Sequence, residues 1–184
     1  NSKDLLKSFG LKVPKSISAK SVDQAMTLIE SNNIAFPVAV KGLNVPHKTE
    51  NNLVKLNIKN TEALRKSLND MFKRSNDILV EEMILESLAE LSIGIMRDDI
   101  GVFLLTIGAG GILTELFNQR VNLILPVTNK DIELALSNLP ISNILDGYRG
   151  AAPVNKKKIV EAIQALSRYT QENLSLISEI EINP

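Results

Sequence analysis

Cysteine and tryptophan are absent from this 184-residue sequence, and histidine occurs once, at position 47. Without cysteine the chain can form neither disulfide bonds nor thiolate metal sites, and a single histidine excludes a histidine-based zinc centre. A composition without cysteine fits a reducing compartment, so we expect a cytoplasmic protein.

A surplus of charge is also lacking, because 21 lysines and arginines balance 21 aspartates and glutamates. There is therefore no electrostatic reason to expect a duplex nucleic acid or an anionic membrane as a partner. No apolar run approaches the roughly 18 residues of a membrane-spanning helix, and no signal peptide is visible. Hydrophobic residues are plentiful at 44%, which predicts a folded chain with a substantial core.

The two ends of the sequence indicate a piece of a longer protein. The chain begins at Asn1, without an initiator methionine, inside a predicted helix. It stops at Pro184, directly after an apolar run that predicts a strand. We therefore expect one domain, or the ordered part, of a longer chain.

Helix and strand signals alternate in the first part of the chain. Ser21 precedes an amphipathic helical pattern, with Gln24 three residues later as in a capping box. Asn60 precedes a second pattern of this kind, and apolar runs at residues 36–40 and 53–58 predict strands. Together these signals predict a small α+β lobe.

The rest of the chain contains more strands. Short apolar runs that begin at residues 77, 90, 101, 112 and 121 predict a mixed or antiparallel sheet. Thr128 precedes a helix, residues 143–150 predict a polar turn, and a long helix and a last strand follow. We predict an α+β fold of two lobes, with residues 15–76 in the first lobe and residues 1–14 and 77–184 in the second.

Residues 36–58 predict a strand, a polar loop and a second strand. Lys41 ends the first run, and His47 and Lys48 lie in the loop. A cation at a strand end beside a lone imidazole suits phosphate chemistry. An ordinary hairpin, with the lysine stem lying along apolar surface, explains the same pattern. Both interpretations stay open on this segment alone.

The sequence GAGG at residues 108–111 allows backbone N–H groups to approach a phosphate closely. It is not a Walker A loop, since no GK[ST] follows it. A tight turn is the alternative explanation for these glycines.

Several oxygen-bearing side chains are placed on predicted strands or at their ends. Such oxygens are the ligands that Mg²⁺ prefers, often shared with substrate phosphates. Surface charge is the alternative for each of them, but together with Lys41 and the glycines they suggest a Mg-nucleotide site between two lobes. They are Glu81, Glu82, Glu90, Glu115 and Asn183.

Seven motifs then follow one another along essentially the whole chain. They are LLKSFGLKVP (5–14), FPVAVK (36–41), PHKTE (46–50), LVEEM (79–83), GAGGILTEL (108–116), ILDGYRG (144–150) and EINP (181–184). In this order they resemble the ATP-grasp domain of ADP-forming acyl-CoA synthetases. These are enzymes of the acetate–CoA ligase type, related to the succinyl-CoA synthetase β subunit.

The resemblance implies that Mg-ATP or Mg-ADP is held between two α+β lobes. The reaction would convert acyl-CoA, ADP and phosphate reversibly to the free acid, CoA and ATP, with phosphate carried on histidine. CoA would be handled by a CoA-binding and ligase domain or subunit that this sequence does not contain. The full-length protein would form a homo- or hetero-oligomer.

The resemblance also implies a role for each candidate residue. Lys41 would contact nucleotide phosphates, and His47 would relay the phosphoryl group. The hinge that holds adenine through its backbone would contain Glu81, Glu82 and Met83. Glu90 would open the next strand, Gly110 and Gly111 would lie in the glycine turn, and Asn183 and Glu115 would bind Mg²⁺.

Two departures from the family pattern leave a second interpretation open. Asn51 and Asn52 replace a pair of glycines, and Leu123 replaces an arginine. Arg120 is nearby but displaced by an odd number of positions, which changes faces on a strand. These departures favour a non-catalytic or regulatory ATP-grasp-like domain, for example in a protein acetyltransferase. The intact lysine, histidine and asparagine favour the enzyme.

Overall fold

The computed structural model describes residues 2–8, 10–43, 53–85, 87–111 and 119–182. The chain forms two compact units, one of Lys12–Leu85 and one of Asn1–Leu11 with Glu86–Pro184. Each unit has its own hydrophobic core and a sheet of four strands with antiparallel neighbours. The α+β class predicted from the sequence is confirmed.

The smaller unit packs two helices against a sheet of order β1-β4-β2-β3. Its elements are β1 (Ser16–Ala19), α2 (Val22–Ser31), β2 (Val38–Gly42), β3 (Val54–Ile58), α3 (Thr61–Met71) and β4 (Ile78–Glu82). Strands β2 and β3 pair antiparallel, which confirms the two strands predicted at residues 36–40 and 53–58.

Both helices of the smaller unit begin at the predicted caps. The Ser21 side chain accepts a hydrogen bond from the Gln24 N–H at 3.2 Å, and Asn60 Oδ1 accepts one from the Ala63 N–H at 2.9 Å. The Gln24 side chain accepts from the N–H of Lys20 rather than that of Ser21. The second hydrogen bond of the predicted capping box therefore comes from the residue before the N-cap and not from the N-cap itself.

Side-chain alternation divides the smaller sheet into two faces. Val38, Val40, Ile78 and Val80 are fully buried against α2 and α3. The residues between them point away from the helices, onto what we call the far face of the smaller sheet. Its central members are Ala39, Lys41, Leu79 and Glu81.

The larger unit contains a sheet of order β7-β6-β5-β8. Its elements are α1 (Ser2–Ser8), β5 (Leu91–Arg97), β6 (Phe103–Ala109), β7 (Arg120–Ile124), α4 (Asn129–Ser137), α5 (Ser142–Leu145), α6 (Lys156–Glu172) and β8 (Glu179–Ile182). The predicted strand at residues 112–117 lies outside the described residues. The turn predicted for residues 143–150 was wrong at its start, because α5 forms there and buries Leu145.

Helix α4 begins with a complete capping box. Thr128 Oγ1 accepts from the Asp131 N–H at 3.3 Å, and Asp131 Oδ2 accepts from the Thr128 N–H at 2.8 Å. These bonds favour the ionised carboxylate, so the backbone and side chain of Thr128 hold the pKa of Asp131 below its ordinary value.

The larger sheet is also divided into two faces. Its core face packs on α4 and α6 and includes Ile95, Leu105, Ile107 and Leu123. The intervening residues form the far face of the larger sheet, turned away from α4 and α6. Cross-strand register places on it Ser92, Gly94, Met96, Leu104, Thr106, Gly108, Arg120, Asn122, Ile124, Glu179 and Glu181.

The chain passes between the two units after Leu11 and after Leu85. The sequence placed these boundaries near residues 14 and 76. Strand β4 accounts for the difference at the second boundary, because it pairs with both β1 and β2 inside the smaller sheet. In the described part of the chain, no helix is long and apolar enough to cross a membrane.

Candidate functional site

Lys41 and Glu81 lie side by side on the far face of the smaller sheet. Lys41 is opposite Leu79 and Glu81 is opposite Ala39, so the two are diagonal neighbours on adjacent strands. Lys41 Nζ lies 3.2 Å from Glu81 Oε1, and their side chains are 36% and 13% exposed. A largely buried carboxylate thus fixes a partly exposed ammonium, a compact positive charge suited to phosphate oxygens.

The backbone N–H groups of Glu82 and Met83 are already used within the smaller unit. Glu82 donates to the Lys15 carbonyl at 2.9 Å, and Met83 donates to the Pro37 carbonyl at 3.0 Å. The Glu82 carboxylate accepts from the Ala35 N–H at 2.8 Å. Neither residue therefore has a backbone donor available for a ligand, although their carbonyls can still accept.

Ile84 follows Met83 and is a further candidate that the sequence reasoning did not single out. No hydrogen bond from its N–H occurs among the described residues, and its side chain is 70% exposed. Ile84 lies two residues beyond the end of β4, so its N–H is a candidate donor to a ligand. The hinge motif recognised in the sequence ends at Met83, so it did not include this residue.

Glu90, Gly110 and Gly111 meet at one end of the larger sheet. The Gly110 N–H donates to the Glu90 carbonyl at 2.7 Å. A Cβ on Gly111 would overlap the Glu90 carboxylate, and Gly111 has a φ of +57°. A Cβ on Gly110 would lie 3.0 Å from the Leu91 backbone. Close approach and backbone conformation therefore favour glycine at both positions, and the Glu90 carboxylate lies directly over Gly111.

Three of the predicted residues, His47, Glu115 and Asn183, lie outside the described residues, as do Asn51 and Asn52. Strand β8 leads to Asn183 and ends at Ile182, which pairs with Ile93.

Glu181 is a further candidate that the sequence reasoning did not single out. It lies on the far face of the larger sheet, opposite Gly94, because its neighbours Ile180 and Ile182 pack against the core. Within the described ranges, no three His, Asp or Glu side chains cluster tightly enough to hold a metal ion by themselves. Mg²⁺ commonly takes only one or two carboxylates and completes its shell with phosphates and water.

Leu123 and Arg120 point to opposite sides of β7. Leu123 is opposite the fully buried Leu105 and packs against the core. Arg120 is opposite Gly108, on the far face, and is exposed. The expectation that an odd displacement changes faces is confirmed.

Restoring the family arginine at position 123 is therefore expected to cost stability. Leu123→Arg should lower the free energy of unfolding by about 1–3 kcal/mol, because it places a charge against the core. Ile124→Arg is the matched control, since Ile124 is adjacent, on the far face and 65% exposed. Chemical denaturation checks this pair. Equal stability of the two variants would contradict the assignment of faces.

Comparison with known proteins places these features in context. The ATP-grasp domain family matches residues 1–184. The beta subunit of acetate–CoA ligase (ADP-forming) II from Pyrococcus furiosus is 29% identical over 99% of this chain and 80% of its own length. The 4-hydroxybutyrate–CoA ligase (ADP-forming) of Nitrosopumilus maritimus is 27% identical over 98% of this chain, which spans 27% of that longer protein.

Solved structures show the same likeness in the fold. Dinucleotide-forming acetyl-coenzyme A synthetase 1 of Ca. Korarchaeum cryptofilum, with coenzyme A, Ca-AMPCP and HgCl⁺, superposes with a TM-score of 0.86. It is 30% identical and covers 99% of this chain and 82% of its own. Another structure of that protein, with coenzyme A and Mg-AMPPCP, has a TM-score of 0.82, 29% identity and coverage of 99% and 81%. Its phosphohistidine segment points towards the nucleotide-binding site.

Proposed function

The chain belongs to the ATP-grasp domain family, as its motifs predicted, and from this premise we propose that it binds Mg-ATP and Mg-ADP within an ADP-forming acyl-CoA synthetase. The full protein would convert acyl-CoA, ADP and phosphate to the free acid, CoA and ATP. The observation that carries the proposal is the Lys41–Glu81 pair on the far face of the smaller sheet. It supplies a fixed cation for phosphate at the position where the family motif has its lysine.

The hinge contributes the adenine contacts in this proposal. Its backbone can accept through the carbonyls of Glu82 and Met83, and it can donate through the N–H of Ile84. Backbone groups suit this task because a purine edge presents both a donor and an acceptor in fixed positions. The Glu81 side chain acts through Lys41 and is a positioning residue.

The magnesium ligands would be oxygen atoms of the larger unit. Glu181 lies on the far face of the larger sheet, and the sequence adds Asn183 and Glu115. Carboxylate and amide oxygens fit Mg²⁺, with nucleotide phosphates completing the set. When bound, the ion would neutralise phosphate charge.

His47 would exchange the phosphoryl group with the nucleotide. An imidazole titrates near neutral pH and is a competent nucleophile, which a reversible phosphoryl carrier requires. This role rests on the match of PHKTE to the family loop. CoA and the acyl group would be bound by a separate ligase domain or subunit of an oligomeric, cytoplasmic enzyme.

One observation favours a second candidate, a regulatory domain that binds nucleotide without turnover. The position of the family arginine is occupied by Leu123, which packs against the core. An arginine that contacts phosphate would contribute more to catalysis than to binding, because transition-state charge depends on such groups.

Phosphoryl transfer from ATP to the protein tests the proposed activity. The experiment does not require the acyl substrate to be known. The full-length protein is incubated with Mg-ATP labelled on the γ-phosphate, and acid-labile label on protein is measured before and after adding ADP. The enzyme is expected to release one ADP for each phosphoryl group bound and to return the label to ADP as ATP. Nucleotide binding without label supports the regulatory domain, and absence of binding overturns both. Net turnover at the wild-type rate in His47→Ala would exclude the relay.

A further inference from the structure

Among the described residues, the far face of the larger sheet carries one arginine, at a position where the family motif gave no reason to expect a cation. Arg120 opens β7, and its partner across the ladder is Gly108 on β6. Two residues beyond Gly108, on the same side of the sheet and about 7 Å along the strand, lies Gly110. Arg120 is thus at the same end of the sheet as Glu90 and the glycine turn.

The backbone of β6 is shaped to accommodate the Arg120 side chain. A Cβ on Gly108 would lie only 3.0 Å from Arg120 Cγ, so the arginine stem rests directly on the glycine. The guanidinium itself is exposed, and it makes no ion pair or hydrogen bond with any residue in the described ranges. A cation held by its stem, with no polar partner for its head among the described residues, is available to a ligand.

The two central strands, β5 and β6, form an open surface beside this cation. Their far-face side chains near the glycine turn are small: Ser92 and Gly94 on β5, and Thr106 and Gly108 on β6. A Cβ added to Gly94 would have only the Thr106 Cβ within 4 Å, at 3.9 Å, so the surface there is open. At the opposite end of the same face, Met96 and Ile124 are large and apolar.

This surface has opposite charges on its two sides. The Arg120 guanidinium flanks one side on β7, and the Glu181 carboxylate lies on β8 at the other side. A Mg-polyphosphate presents anionic oxygens and a divalent cation. It is therefore complementary in charge to a surface with a guanidinium on one side and a carboxylate on the other. Guanidinium groups bind phosphate through two parallel hydrogen bonds, which gives them orientation as well as strength.

We propose that Arg120 binds phosphate oxygens of the nucleotide on the far face of the larger sheet. The inference rests on the proposed function, since it assigns a further residue to the same nucleotide site. Strand β7 thus carries a cation on its far face, while Leu123 on its other side packs against the core. Arg120 would contact only the polyphosphate of the ligand and not its nucleoside.

Calorimetric titration of the full-length protein with Mg-ATP, Mg-ADP and adenosine tests the assignment. Arg120→Leu is expected to raise the Kd for Mg-ATP by about tenfold to a hundredfold, because a charge-assisted phosphate contact is lost. Adenosine binding should be unchanged. Arg120→Lys should recover part of the loss, since it keeps the charge without the planar fork.

Arg168→Leu is the matched control. Arg168 is also an exposed arginine of the larger unit, but it lies on α6, in the helix layer. Its replacement should leave all three affinities at wild-type values. Thermal unfolding of each variant checks the fold, which should survive because both side chains are exposed.

Three different results would overturn the inference. Wild-type Mg-ATP affinity in Arg120→Leu contradicts the role of Arg120 alone. Absence of Mg-ATP and Mg-ADP binding in the unmodified protein removes the proposed function and this inference with it. An equal loss of adenosine affinity would also contradict it, because it would indicate disruption of the whole site.

Discussion

Replacing Lys41 with methionine is expected to weaken Mg-ATP binding by at least about a hundredfold, because truncating one partner of a partly buried charge pair at a binding site costs about 2–5 kcal/mol. Two effects combine. The substitution removes a charge-assisted contact to phosphate, and it leaves the Glu81 carboxylate, 13% exposed, as a negative charge facing the anionic ligand. Calorimetric titration of the full-length protein with Mg-ATP measures the change.

Lys55 offers a closely matched control in the same sheet. Its side chain is 35% exposed and lies 3.1 Å from Asp70, so its ion pair resembles that of Lys41 in exposure and length. Lys55 is opposite Val40 and therefore on the helix side of the sheet. Lys55→Met should leave nucleotide affinity unchanged, while the pKa of Asp70, held low chiefly by its hydrogen bond with Lys55, moves towards its ordinary value.

A double variant separates binding from stability at the Lys41 position. Lys41→Met with Glu81→Gln removes both charges, so the fold should be close to wild type while Mg-ATP affinity stays low. Equal loss of affinity in the Lys41 and Lys55 variants would show that nucleotide affinity depends on the overall charge of the domain. It would then not depend on a contact between Lys41 and phosphate. Wild-type affinity in Lys41→Met would exclude Lys41 from the site.

Gly111→Ala is expected to lower turnover by on the order of a hundredfold with only a modest loss of stability. The new Cβ occupies the place of the Glu90 carboxylate, which is the mobile end of a flexible side chain and can rotate away. The fold therefore suffers mainly the cost of a non-glycine residue at φ +57°, about 1–2 kcal/mol. We expect the loss of turnover because we include Glu90 in the proposed nucleotide site, where displacing a positioned group by an ångström or more slows the reaction.

Gly150→Ala isolates the backbone cost. Gly150 also has a positive φ, +86°, but a Cβ there meets nothing within 4 Å. The two alanine variants should lose similar free energy of unfolding, and only Gly111→Ala should lose turnover.

A double-mutant cycle then identifies Glu90 as the intermediary. Glu90→Ala alone should lower turnover about as much as Gly111→Ala, and the double variant should lose little more than either single one. Additive losses would mean that Gly111 acts independently of Glu90.

The sequence predicted the parts of the fold that depend on local patterns. The alternation of Val38, Val40 and Lys41 is enough to place the lysine on the side of the strand away from the core. Ser21, Asn60 and Thr128 marked helix starts because their side chains can accept from the first free N–H groups.

Features that depend on pairing between distant strands could not be read from local patterns. The contact of Glu90 with Gly111 requires the register of β5 on β6, which is set by tertiary packing. The occupied N–H of Met83 depends on its pairing with Pro37, and the position of Arg120 over Gly108 depends on β7. The placement of α5 depends on burial of Leu145, which overrides a turn-like sequence.

Hydrogen–deuterium exchange of the full-length protein, with and without saturating Mg-ATP, reports where along the chain the nucleotide acts. We predict slower exchange at the hinge, residues 82–85, and at the glycine turn, residues 108–111. Exchange in α2 and α6 should not change, because each packs on the core face of its own sheet, away from the far face. Protection confined to those helices, or no protection at the hinge at a nucleotide concentration that saturates binding, would contradict this prediction.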